Sequence, residues 1–437
     1  MVRTRPALVG VVVTLALIAV TASVEEVIPF DAYSYRPPLH AHWRPRVGPG
    51  TLPALLCAAV LVLAGPAAAH RWRWSRLLPA AWLAGVCWIL TLALVDGIAG
   101  IADPLEHPYE YLRTARMVDD VSGLLSEFVG RIPESAEPDN WPPHVAGHPP
   151  GALLVFVGLV RIGIASGLEV GLVLVLLGAT TPLAVATTLR ALGAEQAARA
   201  ALPFLVLTPA AVWVGVSADG GVFSPVAAWG IACLALACRR RSQWWAALAG
   251  SLLGACVFLS YGLVLLGVLA VAVLVAAGTA YPLAGALSAA LAVAAVFLAG
   301  GYSWFEGFLV LRQRYYDGWA GARAYGYWVF GNLAAFAISA GPVVGAGLGH
   351  VLGAPRRWVL AGGPERVVTL LGGAGWLMAL AADLSGMSKA EVERIWLPFV
   401  PWALLLVVLL PERWRRGALV AQVFAAILVQ HLFFAKW

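Results

Sequence analysis

Apolar residues in this chain are grouped into repeated blocks, and short polar stretches separate one block from the next. Each block is roughly 17 to 25 residues long, which is the length that an α-helix needs to cross a bilayer. The blocks are apolar on every side, whereas the strands of a membrane β-barrel alternate between apolar and polar residues. The pattern predicts an all-α fold, a polytopic transmembrane helix bundle of about 13 helices. The blocks lie at residues 7–23, 51–69, 77–95, 149–165, 169–189, 200–216, 221–238, 244–260, 262–278, 281–300, 327–349, 366–382, 395–410 and 417–434.

Composition agrees with this interpretation, because 61% of the 437 residues are hydrophobic and only 12% are charged. A mean hydropathy of +0.83 lies well outside the range of soluble globular chains. The net charge of +6 does not indicate a nucleic-acid partner, because the basic residues form short clusters between apolar blocks, as in cytoplasmic loops. The clusters are Arg3 and Arg5; Arg71, Arg73 and Arg76; Arg239 to Arg241; Arg356 and Arg357; and Arg413, Arg415 and Arg416.

The first block, residues 7–23, allows two interpretations. It resembles a secretory signal peptide, and the small residues near Ala22 and Ser23 permit a cleavage site. We expect a retained membrane helix instead. The chain then divides into N-terminal transmembrane helices, residues 1–76, and a transmembrane catalytic domain, residues 77–437, which includes an outer loop at 96–148.

The charge bias is consistent from residue 200 onward but conflicts with simple alternation at residues 149–199. If 149–165 and 169–189 both cross the membrane, Arg190 and Arg199 lie outside, against the positive-inside rule. One of these two segments is therefore expected to be re-entrant or to lie in the interface. Because two prolines and Gly151 begin the first segment, we favour residues 149–165 for this role.

The longest polar stretch runs from Asp96 to Gly151 and gathers carboxylates, histidines and prolines. By alternation of the helices, it lies on the extracytoplasmic side. Asp96 ends an apolar block, where a carboxylate is costly unless it is solvated or paired. It is either an ordinary helix-end acid or a general base that accepts a proton from an acceptor hydroxyl.

Two further features of this loop carry candidate chemistry. Asp119 and Asp120 can hold a divalent cation such as Mg²⁺ or Mn²⁺, or they can cap the helix that follows. His144 and His148 lie among prolines, which restrict the backbone and present the imidazoles from a rigid loop. A metal site is the weaker interpretation for these histidines, and a substrate hydrogen bond from His148 is the stronger. We also assign Glu110 to substrate binding.

Basic and aromatic residues recur together in the later outer loops. Arg312, Arg314 and Arg323 occur among tyrosines and tryptophans at residues 301–328, on the side opposite to the usual positive bias. Guanidinium groups make bidentate contacts with phosphate, and aromatic rings such as Tyr316 stack on sugars or sit at the headgroup level. Lys389 adds a cation in the last outer loop. These residues either bind substrate or serve as ordinary interfacial anchors and ion pairs.

The chain resembles the GT-C superfamily of polytopic glycosyltransferases in four features: Asp96 at the outer end of a helix, the long loop with Asp119 and Asp120, HPPG from His148 to Gly151, and the later outer loop rich in arginine and tyrosine. HPPG is similar to the His-Pro-Pro element of protein O-mannosyltransferases and aminoarabinose transferases. The resemblance implies a polyprenyl-phosphate sugar donor, with Asp96 as catalytic base and Asp119 or Asp120 as a second catalytic acid. It also implies basic residues that hold the donor phosphate, namely Arg312, Arg314 and Lys389.

We therefore expect a membrane glycosyltransferase that moves a sugar from a polyprenyl-phosphate donor to an acceptor hydroxyl at the outer face of the cytoplasmic membrane. Its partners would be the lipid-linked donor and membrane lipid. The alternatives are a transporter or flippase of a lipid-linked saccharide and an accessory membrane subunit. A transporter would carry charges deep within its helices, and the few such residues, Asp219, Glu169 and Asp383, lie near the ends of blocks.

Overall fold

The computed structural model describes residues 5–28, 30–360 and 362–435, and its regular structure is almost entirely helical. Within these described ranges, strand is confined to His42–Trp43 and Phe433–Phe434, which pair antiparallel with each other. This pairing joins the polar stretch after the first helix to the end of the last helix. The predicted all-α class is confirmed.

Six helices in the described part of the chain are long and apolar enough to cross a membrane. Two further pairs of helices qualify when each bent pair is taken together, which raises the number to eight. The six are Arg5–Val27, Thr51–Arg71, Trp74–Asp96, Gly167–Ala191, Asp219–Arg240 and Gly363–Leu384. The bent pairs are Leu283–Ala299 with Trp304–Asp317, at 71°, and Tyr325–Ala340 with Val343–Leu352, at 111°.

Shorter helices complete the bundle and the loops. The apolar ones are Pro150–Arg161, Gln243–Leu259, Tyr261–Ala277 and Val400–Leu409. Two more, Glu195–Val206 and Glu412–Leu432, begin with charged residues. The loops and breaks contain single turns, namely Ala99–Ala102, Asp103–Glu106, Tyr111–Ala115, Val121–Glu127, Val129–Arg131, Glu134–Ala136, Pro143–Ala146, Ala211–Val214, Trp319–Ala322, Pro355–Val359 and Val392–Ile395.

Small residues let the helices approach closely, as is common in membrane bundles. The first helix, Arg5–Val27, packs against Val343–Leu352, where a Cβ added to Gly10 would lie 2.0 Å from the Gly345 carbonyl oxygen. Gly250 makes a similar approach to the Ala286 carbonyl oxygen on Leu283–Ala299. The first helix thus packs against the rest of the bundle in this structure, and its retention stays a prediction.

One end of the bundle is rich in arginine. Arg199 donates hydrogen bonds to the carbonyl oxygens of Ala69 and Trp72, at 2.8 and 2.9 Å. Arg239 donates to the carbonyl oxygen of Arg190 at 3.4 Å. Residues 69–74, 190–199 and 239–241 therefore lie together, which places Arg190 and Arg199 with the other basic clusters.

The helix Pro150–Arg161 begins and ends beside the same loop. At its start, His148 Nδ1 lies 2.8 Å from the Tyr111 hydroxyl. At its end, Arg161 donates to the carbonyl oxygen of Asp119 at 2.8 Å. The geometry favours the re-entrant alternative for this segment and accounts for the conflict in the charge bias.

Four polar segments meet at the end of the bundle away from the arginine clusters: residues 30–46, 96–149, 300–324 and 385–396. Arg323 Nε donates to the Tyr33 carbonyl oxygen at 3.2 Å, and the His40 backbone N–H donates to Glu393 Oε1 at 2.9 Å. Arg314 donates to carbonyl oxygens at positions 132 and 141. These contacts surround a cavity of about 1010 Å³, which contains the candidate site.

Candidate functional site

The cavity has a polar side and an apolar side. Its polar lining comes from all four of the polar segments and includes His40, His144, Lys389, Glu391 and Arg394. Its apolar lining comes from the turn after Gln243–Leu259 and from the helix Trp304–Asp317, with the residues Leu263, Val264, Leu265, Trp304, Phe308 and Leu311. A ligand in this cavity can therefore contact charged groups and a hydrocarbon-like surface at the same time.

Arg394 holds three carboxylates together beside the cavity. Its guanidinium nitrogens lie 3.5 Å from Glu110 Oε1, 3.6 Å from Asp219 Oδ2 and 3.0 Å from Glu391 Oε2. Glu110, Asp219 and Arg394 are only 1%, 2% and 5% exposed. Buried charges are stable only when paired, so the arginine and the acids depend on one another. The neighbouring acids raise the pKa of Arg394 although burial lowers it, and the guanidinium stays charged.

His144 connects this charged cluster to the cavity. Its Nδ1 lies 2.7 Å from Glu110 Oε1, and its Nε2 lies 3.3 Å from Arg394 NH2. Because a guanidinium only donates, Nε2 is the accepting nitrogen and Nδ1–H donates to the glutamate. Burial raises the pKa of the Glu110 carboxyl, but the nearby His144 and Arg394 outweigh burial and leave that pKa below its ordinary value. An ionised glutamate thus fixes the tautomer and orientation of a histidine that lines the cavity.

His148 lies one turn after His144 and completes the wall. Its Nδ1 lies 2.8 Å from the Tyr111 hydroxyl and 2.9 Å from the His144 carbonyl oxygen. Burial lowers the pKa of His148, so its ring is neutral at pH 7. The proline-rich sequence explains this placement, since Pro143 begins the single helical turn Pro143–Ala146 and Pro149, in extended conformation, precedes the helix Pro150–Arg161.

The last of the four polar segments, residues 385–396, has a strained backbone. Ala390 and Glu391 have φ angles of +69° and +62°, in the left-handed region that side chains other than glycine rarely adopt. Asn332 holds this turn: its Nδ2 donates to the Ser388 carbonyl oxygen at 2.7 Å, and its Oδ1 accepts from the Ala390 N–H at 3.2 Å. Such strain persists only where the surroundings enforce it and is concentrated at functional sites. Here the turn places Lys389 and Glu391 in the cavity lining.

Replacing Asn332 with alanine is expected to lower the free energy of unfolding by about 1–3 kcal/mol for each buried partner left unsatisfied. Asp383 Oδ1, which also accepts from Asn332 Nδ2 at 2.9 Å, would lose its partner too. The measurement is the melting temperature of the detergent-solubilised protein, with Asn140→Ala as control, because the Asn140 amide makes one longer bond of 3.4 Å to a backbone carbonyl. Equal melting temperatures for the two variants would contradict the role assigned to Asn332.

The structure places Asp96 in an ion pair. Arg46 contacts both of its carboxylate oxygens, at 2.5 and 2.8 Å, and Gln430 Nε2 donates to Oδ2 at 3.0 Å. Arg46 also donates to the Phe433 carbonyl oxygen at 2.8 Å, so this group links the loop after the first helix to the last strand. The arrangement gives Asp96 an evident structural role.

Asp119 and Asp120 are exposed. Asp120 caps the helix Val121–Glu127, because its Oδ1 accepts from the Ser122 N–H at 2.8 Å. The Asp119 carbonyl oxygen accepts from Arg161. Helix capping is one of the two alternatives that the sequence left open for these acids, and Asp120 acts as a helix cap in this structure.

The remaining candidates divide between the cavity and its surroundings. Lys389 Nζ lies 5.2 Å from the Tyr316 ring centre and donates to the Arg323 carbonyl oxygen at 3.0 Å. Burial and the nearby Arg323 lower the pKa of Lys389. Arg312 lies over the Tyr316 ring, 5.7 Å from its centre, and Arg314 donates to backbone carbonyl oxygens.

Three of the predicted site residues therefore come together: His148 and Lys389 line the cavity, and Glu110 contacts its histidine. Over the ranges that the structure describes, the cavity lining does not include the others, namely Asp96, Asp119, Asp120, Arg312, Arg314 and Tyr316. Sequence reasoning did not assign a site role to His144, Asp219, Glu391 or Arg394. The sequence signal that could have found them is a charged residue close to an apolar block. Placing such a charge in or near a membrane costs free energy, so it usually has a functional role.

The acids beside the cavity do not fit a divalent cation. Among the described residues, no three His, Cys, Asp or Glu side chains are placed to hold a metal ion together. Glu110, Asp219 and Glu391 instead surround Arg394, whose positive charge occupies the position between them. We therefore assign no step to a metal ion.

Comparison with known proteins adds no assignment, because this chain matches no protein-family profile, no curated protein and no solved structure. The resemblance to GT-C glycosyltransferases stays a prediction from short motifs. Function is consequently argued from the cavity and the side chains around it.

Proposed function

We propose that this protein is a membrane glycosyltransferase that moves a sugar from a polyprenyl-phosphate donor to an acceptor hydroxyl. One observation carries the proposal: a single cavity of about 1010 Å³ joins an acid–histidine–arginine cluster to an apolar wall. A lipid-linked sugar has the same two-sided character. Its prenyl chain is apolar, while its phosphate and sugar need charged and hydrogen-bonding groups.

The donor would lie across the two sides of the cavity. Its chain would contact the apolar lining around Val264, Trp304 and Phe308, and its phosphate would approach Lys389. Lys389 suits a phosphate because its ammonium is buried, with 6% of the residue exposed, and no carboxylate pairs with it among the described residues. Its contacts are the rings of Tyr315 and Tyr316 and a carbonyl oxygen.

The proposed chemistry uses His144 as general base. The acceptor hydroxyl takes the place of the 3.3 Å hydrogen bond from Arg394 at His144 Nε2 and gives its proton to that nitrogen, and the hydroxyl oxygen forms a bond to the anomeric carbon of the sugar. The bond from that carbon to the phosphate oxygen breaks, and its electron pair leaves with the polyprenyl phosphate, stabilised by Lys389. Glu110 holds the imidazole and stabilises the imidazolium that forms, as a carboxylate does in other acid–histidine pairs.

This assignment places the base at His144 rather than at Asp96. The ion pair with Arg46 leaves Asp96 a structural task, whereas His144 lines the cavity and has an oriented accepting nitrogen. Comparing sugar transfer by Asp96→Asn and by His144→Ala tests the sequence prediction of Asp96 as base.

We also propose that the polar end of the bundle faces outward and that the chain crosses the membrane about thirteen times. The grouping of the arginine clusters at the opposite end supports this orientation by the positive-inside rule. The crossings beyond the eight long spans would come from the shorter helices other than Pro150–Arg161, namely Glu195–Val206, Gln243–Leu259, Tyr261–Ala277, Val400–Leu409 and Glu412–Leu432. The orientation can be tested by introducing a cysteine at Ser34 or at Ser242 and treating intact cells with a membrane-impermeant thiol reagent. The cysteine at position 34 should be labelled, and the one at position 242 should not.

The decisive experiment is to reconstitute the purified protein in liposomes with a polyprenyl-phosphate sugar that carries a label in the sugar, and to add a cell-envelope extract that supplies acceptor hydroxyls. A glycosyltransferase releases polyprenyl phosphate and moves the label to another molecule. A flippase leaves the donor chemically intact and moves it to the other leaflet, which is detected by a membrane-impermeant reagent that oxidises exposed sugars. Translocation without donor cleavage would overturn the proposal in favour of the transporter alternative.

Replacing Lys389 with methionine is expected to raise KM for the donor about tenfold, because one charge-assisted contact with phosphate is lost. Methionine keeps the apolar stem between the two tyrosine rings. The measurement is initial rate against donor concentration in the liposome assay. Arg312→Met is the control, since Arg312 is exposed and stacks on Tyr316 outside the cavity. A larger effect from the control than from Lys389→Met would move the phosphate site to the helix Trp304–Asp317.

A further inference from the structure

Four aromatic side chains line the cavity and also remain exposed to solvent: Tyr33, Tyr35, Tyr109 and Trp319, which we call the aromatic rim. Their exposed fractions are 38%, 50%, 46% and 78%. Large aromatic groups are normally buried, because each carries a large apolar surface. Several exposed rings around one cavity therefore indicate a binding surface rather than a packing defect.

The backbone at Tyr33 is forced into position. Its φ angle is +52°, which is unfavourable for an aromatic residue. Asp31 Oδ1 accepts a hydrogen bond from the Tyr33 N–H at 2.6 Å, and Arg323 Nε donates to the Tyr33 carbonyl oxygen at 3.2 Å. These bonds hold the Tyr33 ring edge-on to Trp319, with ring centres 6.1 Å apart. Strain that the surroundings enforce indicates that the position of this ring matters.

The rim combines apolar rings with hydrogen-bonding groups. Asp31, Ser34 and Glu134 line the same cavity as the rings do. A pyranose presents apolar C–H faces, which stack on aromatic rings, and hydroxyl edges, which bind carboxylates and hydroxyls. Headgroup anchoring explains the rim less well, because these four rings line a cavity instead of lying only on the outer surface of the bundle.

We propose that the aromatic rim binds a carbohydrate, and that the acceptor of the transfer is therefore a glycan. The inference rests on the proposed function, because it names the acceptor class for the same cavity. Arg323 connects the two parts of the site: it donates to the Tyr33 carbonyl oxygen and, at 2.6 Å, to the Lys389 carbonyl oxygen. One guanidinium thus positions the rim and the residue assigned to the donor phosphate.

The test measures binding of fluorescently labelled, short linear gluco- and manno-oligosaccharides to the full chain in lipid nanodiscs. Trp319→Ala and Tyr33→Ala are each expected to weaken binding about tenfold, through the loss of one stacking ring. Trp244→Ala is the matched control, because Trp244 is 86% exposed and lies beside the arginine cluster at 239–241, at the other end of the bundle. The melting temperature of each variant confirms that it is folded.

Unchanged binding in both rim variants would overturn the inference, and so would a wild-type protein that binds none of these oligosaccharides. Binding of a serine- and threonine-rich peptide that the rim variants lose would overturn it in favour of a protein acceptor. Donor cleavage by the wild-type protein distinguishes a failure of the glycan-acceptor inference from a failure of the proposed function. If the donor is cleaved but no oligosaccharide binds, only the glycan acceptor is wrong, whereas an intact donor contradicts the proposed function itself.

Discussion

Replacing His144 with alanine is expected to lower sugar transfer by about 10² to 10⁴-fold, the usual contribution of a positioned general base. The side chain is half-buried in the cavity lining, and its Nε2 is the nitrogen able to take the acceptor proton. The cavity of about 1010 Å³ has room for a free imidazole beside the missing side chain. We therefore expect added imidazole to restore part of the activity of His144→Ala, measured as transferred label in the liposome assay.

Glu110→Gln extends this prediction to the group that orients the histidine. The glutamine keeps the size of the side chain but cannot stabilise an imidazolium. Because Glu110 acts through His144, the double variant is expected to be no less active than His144→Ala alone. Added imidazole should not restore the activity of Glu110→Gln, because this variant still contains the His144 side chain. The pKa of Glu110 lies below the ordinary 4.5, so the carboxylate stays ionised and its role is constant through the neutral pH range.

Asp96→Asn serves as the comparison for both variants. It removes one charge from the ion pair with Arg46 and should affect stability more than transfer. A loss of transfer in folded Asp96→Asn, together with an active His144→Ala, would return the catalytic base to Asp96. The same outcome would favour the motif-based assignment over the one based on the cavity.

The helical class could be predicted from the sequence because the bilayer imposes a length and a polarity on every crossing segment. Bends inside the apolar blocks could not. Residues 327–349 form one apolar block, yet the helices Tyr325–Ala340 and Val343–Leu352 meet at 111°. Gly341, with a φ of +92°, and Pro342 make this bend, and both residues are also common in straight membrane helices. The angle therefore depends on the helices packed around them.

The site could be predicted only at the level of its loops. The sequence indicated that residues 96–151, 301–328 and 383–394 carry the chemistry, and the structure brings parts of all three to one cavity. Pairing across the chain decided which residues lie there. Asp96 is well placed by local pattern, but Arg46, fifty positions earlier, and Gln430, near the end of the chain, bind its carboxylate. No local spacing records such partners.

Replacing Arg394 with methionine is expected to have the largest effect on stability, a loss of about 3–5 kcal/mol in the free energy of unfolding. Arg394 is 5% exposed and lies within 3.6 Å of three carboxylates, those of Glu110, Asp219 and Glu391. Methionine fills much of the space but leaves three neighbouring negative charges without their shared cation. The measurement is the melting temperature and the yield of folded protein in detergent, with Arg113→Met as the control, because Arg113 is exposed on a helical turn.

Two causes could explain the loss of stability in Arg394→Met: unpaired carboxylates or lost packing. Removing one of the three carboxylates distinguishes them. Asp219→Asn in the Arg394→Met background should recover part of the stability, because two carboxylates then remain where there were three. In the wild-type background the same change should destabilise the protein, because the buried guanidinium of Arg394 then loses one of its three paired carboxylates. Opposite signs in the two backgrounds are expected only if charge is the cause. If Asp219→Asn lowers the melting temperature equally in both backgrounds, Arg394 stabilises the fold through packing, and the electrostatic interpretation of the cluster is wrong.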